Sequence, residues 1–195
     1  MPYEDLTDDE ELLIKNYRKL SQSQKQAVLA SQASFKNWLQ DSLSSIWNKV
    51  SSFFGDIWSW FRGAVTPKGK FHEIWVDYNV SENGKKGMKI HAKFEADNVK
   101  DVPCRASVYF YYSSGGKLKD LNDSHCTEAG NVCVGEGFTP SYTSSIYKDF
   151  EIFMPLDELH MSDGKHDLKF YIGLYVKGGE FFAESNWVYF TYTKG

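Results

Sequence analysis

The sequence predicts an α+β protein, with an N-terminal helical segment followed by an antiparallel β-sandwich. Between residues 39 and 60, apolar residues recur at alternating gaps of four and three, which is the period of an amphipathic helix. Beyond Phe71, apolar and polar residues alternate one by one, which is the period of a strand with one buried face. We expect a helical association segment over residues 1–66, a linker over 67–70 and a β-sandwich interaction domain over 71–195.

Composition limits the classes of function. The 195 residues are 42% apolar and 16% aromatic, which is enough for a buried β-rich core. The net charge of −4 gives no broad positive field, so we do not expect nucleic acid as a partner. The acidic N-terminus has no secretion-signal pattern, no run of about 18 apolar residues exists, and the cysteine count is odd. These observations predict a cytoplasmic protein with reduced thiols.

The N-terminal segment begins with two helix start signals. Thr7 is followed three residues later by Glu10, which is a cap-and-glutamate pattern, and the helix it opens is expected to run to about Leu20. Ser21 followed by Gln24 repeats the pattern. We therefore expect two helices joined by a tight corner.

The second helix is predicted to be long and amphipathic. No proline interrupts residues 23–61 and the first glycine is Gly55, although a break near residues 31–34 is an alternative. Its heptad-spaced residues define an association seam: Leu39, Leu43, Ile46, Val50, Phe53, Ile57 and Trp60. A flanking line of apolar residues runs beside it: Trp38, Trp47, Phe54, Trp58 and Phe61. This spacing favours packing against a partner helix, as in a coiled coil.

The string LTDDEELLIKNYRKLSQSQKQAVLA, residues 6–30, resembles the helical tail that follows the DNA-binding domain in Cro/CI-type repressors. In that family the tail packs helices and helps proteins to pair. No helix-turn-helix precedes the string here, so the resemblance implies pairing and does not imply DNA binding.

The second half of the chain is predicted to contain seven or more short strands. Residues 74–80 and 88–96 alternate on either side of Asn83-Gly84, which is the strongest short hairpin signal. Turn residues separate five further predicted strands, over residues 104–112, 132–138, 147–154, 166–176 and 181–192. This number of short strands in about 125 residues is typical of an antiparallel sandwich of the immunoglobulin or fibronectin sort.

The string MPLDELHMSDGKHDLKF, residues 154–170, resembles the corner that joins the two sheets in such sandwiches. A short helical turn is expected at 156–159, and His166 is expected to form a corner hydrogen bond. Residues 71–193 as a whole resemble immunoglobulin- or fibronectin-like modules appended to multidomain bacterial proteins. This resemblance implies interaction with a partner and does not imply catalysis.

Strand parity predicts an aromatic outer surface. If Ile74 and Val76 face the core, the aromatic residues of the opposite parity face outwards. This candidate partner or ligand face comprises Trp75, Tyr109, Tyr111, Tyr171, Tyr175, Trp187 and Tyr189. Three alternatives remain for what covers this face: the N-terminal helix, another protein, or stacked sugar rings.

No motif indicates catalysis or a cofactor. Five histidines lack zinc spacing, and the nearest approach to a metal cluster, His125 with Cys126 and Cys133, has no fourth ligand. The glycines fall at turns, and the numerous carboxylates of the second half fit neither a calcium loop nor an identifiable acid pair. We expect no metal, no cofactor and no enzymatic activity.

The leading hypothesis is a homo-oligomeric adaptor that self-associates through its helix and presents a sandwich surface to a partner. Alternatively, the helix covers the sandwich of its own chain and the protein is monomeric. A second class is membrane-interface binding by the Trp-rich residues 35–62, although few basic residues are available to attract anionic lipid. A third class is carbohydrate binding by the aromatic face.

Overall fold

A computed structural model describes residues 8–42, 63, 65–125, 127, 129–177 and 181–195. The chain forms two compact units, Met1–Thr66 and Pro67–Gly195. The first unit is helical in its described part, and the second consists of two antiparallel sheets. The protein is therefore of the α+β class.

In its described residues the first unit contains three helices: α1 at Asp8–Arg18, α2 at Gln22–Leu29 and α3 at Gln32–Ser42. The capping box that the sequence indicates is present at the start of α2. The backbone N–H of Gln24 donates to the Ser21 hydroxyl at 3.3 Å, and the backbone N–H of Ser21 donates to the Gln24 side chain at 2.9 Å. Each of two otherwise unpaired donors thereby gains an acceptor.

The expectation of two helices is wrong for the described residues, because the predicted second helix is interrupted between α2 and α3. The hydroxyl of Ser31 accepts a hydrogen bond from the backbone N–H of Ser34 at 3.1 Å, and it thereby caps a new helix. This interruption lies at residues 31–34, where the sequence analysis gave a break as the alternative. Whether α3 continues as one long helix over residues 43–62 lies outside the described residues.

The core of the first unit already contains one member of the association seam and one member of the flanking line. Leu39 is fully buried there. The Trp38 ring lies 5.9 Å from the ring of Tyr17 and 5.7 Å from that of Phe35. Both side chains therefore pack within their own unit.

The remaining predicted association residues lie outside the described residues; they are Leu43, Ile46, Val50, Phe53, Ile57 and Trp60 of the seam, and Trp47, Phe54, Trp58 and Phe61 of the flanking line. Among the helices that the structure describes, none combines the length and apolar character needed to cross a membrane.

Eight strands lie in the part of the second unit that the structure describes: β1 (Lys68–Glu82), β2 (Lys85–Asp97), β3 (Cys104–Tyr112), β4 (Cys133–Phe138), β5 (Ser144–Pro155), β6 (Gly164–Val176), β7 (Phe181–Glu184) and β8 (Val188–Lys194). The first sheet has the order β1-β2-β5. The second has the order β4-β3-β6-β7, and β8 also pairs with β6. All of these pairings are antiparallel.

Alternate residues of both sheets enter one core. Phe94 of β2 in the first sheet lies 5.3 Å, ring centre to ring centre, from Phe138 of β4 in the second. Phe110 of β3 packs at 5.7 Å against Phe170 of β6. Two antiparallel sheets that share such a core are consistent with the predicted β-sandwich. The more specific immunoglobulin-like assignment stays a prediction.

The predicted hairpin joins β1 to β2. Asn83 and Gly84 have φ angles of 50° and 78°, so both lie in the left-handed region that a two-residue type I′ turn requires. Lys68 pairs with Asp97, so β1 begins at Lys68 and includes three residues that the sequence predicted as linker. The alternation of apolar and polar residues is too weak before Phe71 to predict this extension.

The corner between β5 and β6 matches the sequence prediction. A 3-10 helix occupies Leu156–Leu159. The Nε2 atom of His166 donates to the backbone oxygen of Ser162 at 2.8 Å, which is the predicted corner hydrogen bond.

The last predicted strand, 181–192, is in fact two strands. Ser185 interrupts it, because the Ser185 hydroxyl accepts a hydrogen bond from the backbone N–H of Ile172 at 2.9 Å. β7 pairs with the end of β6 and β8 pairs with its beginning. Trp187 lies in the short connection between them.

We predict that Gly84→Ala lowers the free energy of unfolding by about 1 kcal/mol, since a side chain disfavours a positive φ. Nothing lies within 4 Å of the added carbon, so the loss is conformational. Urea unfolding measures it. Gly137→Ala is the control, because that glycine also has room and lacks a positive φ. An equal loss in both variants would contradict the turn assignment.

Candidate functional site

The outer side of the second sheet collects six aromatic residues, which we call the aromatic face. β3 and β6 bury Val108, Phe110, Phe170 and Ile172 on their inner side. Because side chains alternate along a strand, the residues between these point outwards. The aromatic face comprises Tyr109, Tyr111, Tyr171, Tyr175, Trp187 and Tyr189.

The centre of the aromatic face is a cross-strand tyrosine pair. Tyr109 and Tyr171 are directly opposite in the register of β3 and β6, and their rings stack with centres 5.1 Å apart. Trp187 meets Tyr171 edge-on at 5.0 Å and Tyr111 edge-on at 5.1 Å. Both geometries are favourable for aromatic rings, and cross-strand pairs of this kind stabilise a sheet. The rings therefore form a connected layer.

A lysine borders one end of the aromatic face. Lys169 pairs with Tyr189 across β6 and β8. Its ammonium nitrogen lies 4.7 Å from the ring centre of Trp187 and 5.7 Å from that of Tyr189. A cation at such distances is attracted by the ring quadrupole. Lys169 thus holds a positive charge against two exposed rings.

A glycine shapes the other end of the aromatic face. The ring of Tyr175 lies across Gly173, where an added Cβ would fall 2.8 Å from a ring carbon. Tyr175 also contacts Tyr109 at 6.2 Å and Phe181 at 5.3 Å, measured between ring centres. Gly173 therefore lets the tyrosine lie close to the sheet, and the layer extends towards β7.

Solvent reaches this layer unevenly. Tyr189 is 63% exposed, Phe181 47% and Trp187 43%, while the other four tyrosines of the face are half-buried. The exposed rings lie at the borders and the half-buried rings lie between them. The result is a contiguous apolar surface with polar hydroxyls, of the kind that marks contact sites.

The half-buried hydroxyls resist ionisation. Burial raises the pKa of Tyr109 well above its usual range, and a hydrogen bond with Tyr175 adds to the effect. Burial likewise raises the pKa of Tyr171, and the adjacent Tyr111 contributes. Both hydroxyls therefore remain protonated at neutral pH.

Trp75 does not belong to the aromatic face, contrary to the sequence prediction. It lies on the outer side of the first sheet, where its ring stacks on His91 with centres 5.0 Å apart. The Nδ1 atom of His91 donates to Asp149 at 2.7 Å. Parity predicted correctly that Trp75 points outwards, but parity cannot tell which of two sheets a strand joins.

Two contributing residues were missed by the sequence reasoning. Lys169 shares the outward parity of Tyr171 two residues later, so a search that included charged residues would have found it. Phe181 lies in the short β7, whose separate identity depends on the hydrogen bonds of Ser185. No sequence signal marks that break.

Comparison with known proteins identifies no family. No family model matches the chain, so the resemblance of residues 6–30 to repressor tails has no support from this comparison. No curated protein matches either.

Among solved structures, the chain is similar to a bacterial adhesin from Mobiluncus mulieris that contains intramolecular disulfide, isopeptide and ester bond cross-links. The identity is 12% and the TM-score 0.32, with 60% of this chain and 48% of the adhesin chain covered. The chain thus spans about half the length of that adhesin.

We predict that the free energy of unfolding falls as the pH rises above about 10, the usual pKa of tyrosine. The folded protein keeps protons on Tyr109 and Tyr171 that the unfolded chain releases in that range. Urea unfolding at several alkaline pH values measures the slope. Tyr171→Phe should make the slope shallower, whereas Tyr142→Phe, at an exposed tyrosine outside the face, should leave it unchanged. An unchanged slope in Tyr171→Phe would contradict the burial of this hydroxyl.

Proposed function

We propose that this chain is a non-enzymatic, protein-binding module and that the aromatic face is its contact surface. One observation carries the proposal: six aromatic rings and Lys169 form a connected, partly exposed layer on one side of a sheet. Tyrosine, tryptophan and cations at the border are the composition that protein contact sites favour.

Ring geometry favours a protein over a sugar. A sugar ring stacks on an aromatic face that is flat and open. Here the ring faces of Tyr109 and Tyr171 stack on each other, and the Lys169 ammonium lies over the ring of Trp187. What remains accessible is mostly ring edges and hydroxyls, which suit the mixed contacts of a protein surface. Carbohydrate binding is therefore the second candidate.

The same residues support binding in preference to catalysis. A tyrosine acts as a base or nucleophile when its pKa is lowered, whereas burial raises the pKa of Tyr109 and of Tyr171. A hydroxyl that stays protonated is a poor base and a poor nucleophile at neutral pH. The absence of enzymatic activity and the cytoplasmic location stay predictions.

Self-association is the second part of the proposed function. It depends on the heptad spacing of the seam, of which Leu39 packs within its own unit. We propose that the part of the seam after Leu39 pairs with another copy, so that the oligomer presents several aromatic faces. Association of the Trp-rich residues 35–62 with a membrane interface is the alternative, and liposome flotation of the full chain tests it.

We predict that the double variant Trp187→Ser, Tyr189→Ser loses partner binding. The full chain is immobilised, the proteins that it retains are purified, and their affinities for the full chain and for the variant are measured by calorimetry. Because hot-spot residues of an interface, among which Trp and Tyr are enriched, each contribute about 2 kcal/mol or more, the affinity should fall by at least about 30-fold.

Tyr142→Ser is the matched control, since this exposed tyrosine lies outside the aromatic face. Equal affinity of the face variant and the unmodified chain would contradict the proposal. A glycan array separates the second candidate: a sugar bound by the full chain and lost with Trp187→Ala would replace the protein partner with a carbohydrate.

We predict that light scattering finds the full chain larger than a monomer and that Val50→Asp together with Ile57→Asp dissolves the assembly. Unpaired charges buried in an apolar seam cost several kcal/mol. Ser51→Asp is the control, because this residue lies among the polar positions of the same stretch. A monomeric full chain would contradict self-association and would leave the aromatic face untouched.

A further inference from the structure

Two residues of opposite charge lie on the aromatic face, one on each side of Tyr171. Lys169 precedes Tyr171 by two residues on β6, and Gly173 follows it by two. Glu184 of β7 pairs with Gly173, so its side chain lies on the same outer side of the sheet. The face therefore has a basic end and an acidic end, with Tyr171 between them.

Electrostatics agrees with this placement of Glu184. Burial raises the pKa of Tyr171 most strongly, the neighbouring tyrosines follow, and the charge of Glu184 adds a further contribution. A carboxylate has this effect when it is close to the hydroxyl, because its negative charge disfavours a phenolate. Glu184 thus borders the layer of rings of which Tyr171 is the centre.

Both charges are available to a partner. Neither Lys169 nor Glu184 forms an ion pair with any residue that the structure describes, and Glu184 is exposed. Two other charged residues on this side of the sheet are already engaged. Asp167 accepts a hydrogen bond from the Thr191 hydroxyl at 2.8 Å, and Arg105 donates to a backbone oxygen of β4 at 3.0 Å.

The spacing of the two charges matches an extended polypeptide. Their positions along β6 are four residues apart, which corresponds to about 13 Å in a strand. An extended segment lying along β6 has the same repeat, so its alternate residues would meet the basic end, Tyr171 and the acidic end in turn. A helix places residues four apart at only about 6 Å along its axis and does not match.

We infer that the partner contacts the aromatic face with an extended segment in which an acidic and a basic residue are four positions apart, with an apolar residue midway. The acid lies against Lys169, the base against Glu184 and the apolar residue against Tyr171. This inference rests on the proposed function of the aromatic face and names the chemistry of its partner. The rings supply contact area, while the two charges exclude partners whose charges do not match.

The test uses three phage-displayed libraries of linear peptides, in which all positions are random except two that are four apart. These two are glutamate and lysine in either order in the first library, two lysines in the second and two glutamates in the third. We expect the immobilised full chain to enrich the first library at least about tenfold over the others, since opposed like charges are strongly unfavourable at an interface.

Reversing one charge of the face should change the preferred library. Lys169→Glu makes both ends acidic and should favour the lysine library, whereas Glu184→Lys makes both ends basic and should favour the glutamate library. Glu184→Lys alters an exposed side chain, so the test stays decisive if Lys169→Glu does not fold. Lys86→Glu is the matched control, because this exposed lysine lies on β2 of the first sheet, and it should keep the preference of the unmodified chain.

A fourth library carries glutamate and lysine eight positions apart, which spans about 12 Å on a helix. Preference of the full chain for this library would overturn the extended conformation. Absence of enrichment from any library, or the same preference in the full chain, Lys169→Glu and Glu184→Lys, would overturn the inference as a whole. The proposed function fails on a different result, which is unchanged affinity of a purified partner for the Trp187→Ser, Tyr189→Ser variant.

Discussion

The two-residue alternation of β3 and β6 is the constraint on which the second unit depends. Phe110 and Phe170 enter the core between the sheets, and this burial determines that Tyr109 and Tyr171 point the other way. A slip of one residue would exchange the phenylalanine and tyrosine layers, exposing apolar rings and burying hydroxyls. The same interaction that stabilises the sandwich therefore creates the aromatic face.

Periodicity and turn chemistry predicted much of the fold, because both are local. Asn83-Gly84, the 3-10 helix and the His166 corner could be predicted from neighbouring residues alone. The break at Ser185 could not, since it depends on a hydrogen bond to Ile172, 13 residues away. Likewise, parity placed Trp75 on an outer surface without indicating that its strand belongs to the other sheet.

The contact between His160 and Asp120 shows the same limit more sharply. The Nε2 atom of His160 makes a hydrogen bond with Asp120 across 40 residues of sequence, so no local spacing predicts this contact. Sequence reasoning instead grouped His125 with Cys126 and Cys133, and Cys126 lies outside the described residues. The fold brings His125 towards Glu158.

The claim on which the proposed function depends most is that the aromatic face is open to a partner in the full chain. Hydroxyl-radical footprinting with mass spectrometry tests it directly, because oxidation requires access to solvent. Trp187 and Tyr189 should be oxidised rapidly, while Phe110 and Phe170 should be protected by the core. Protection of Trp187 and Tyr189 to the level of Phe110 in the isolated protein would contradict an open binding surface.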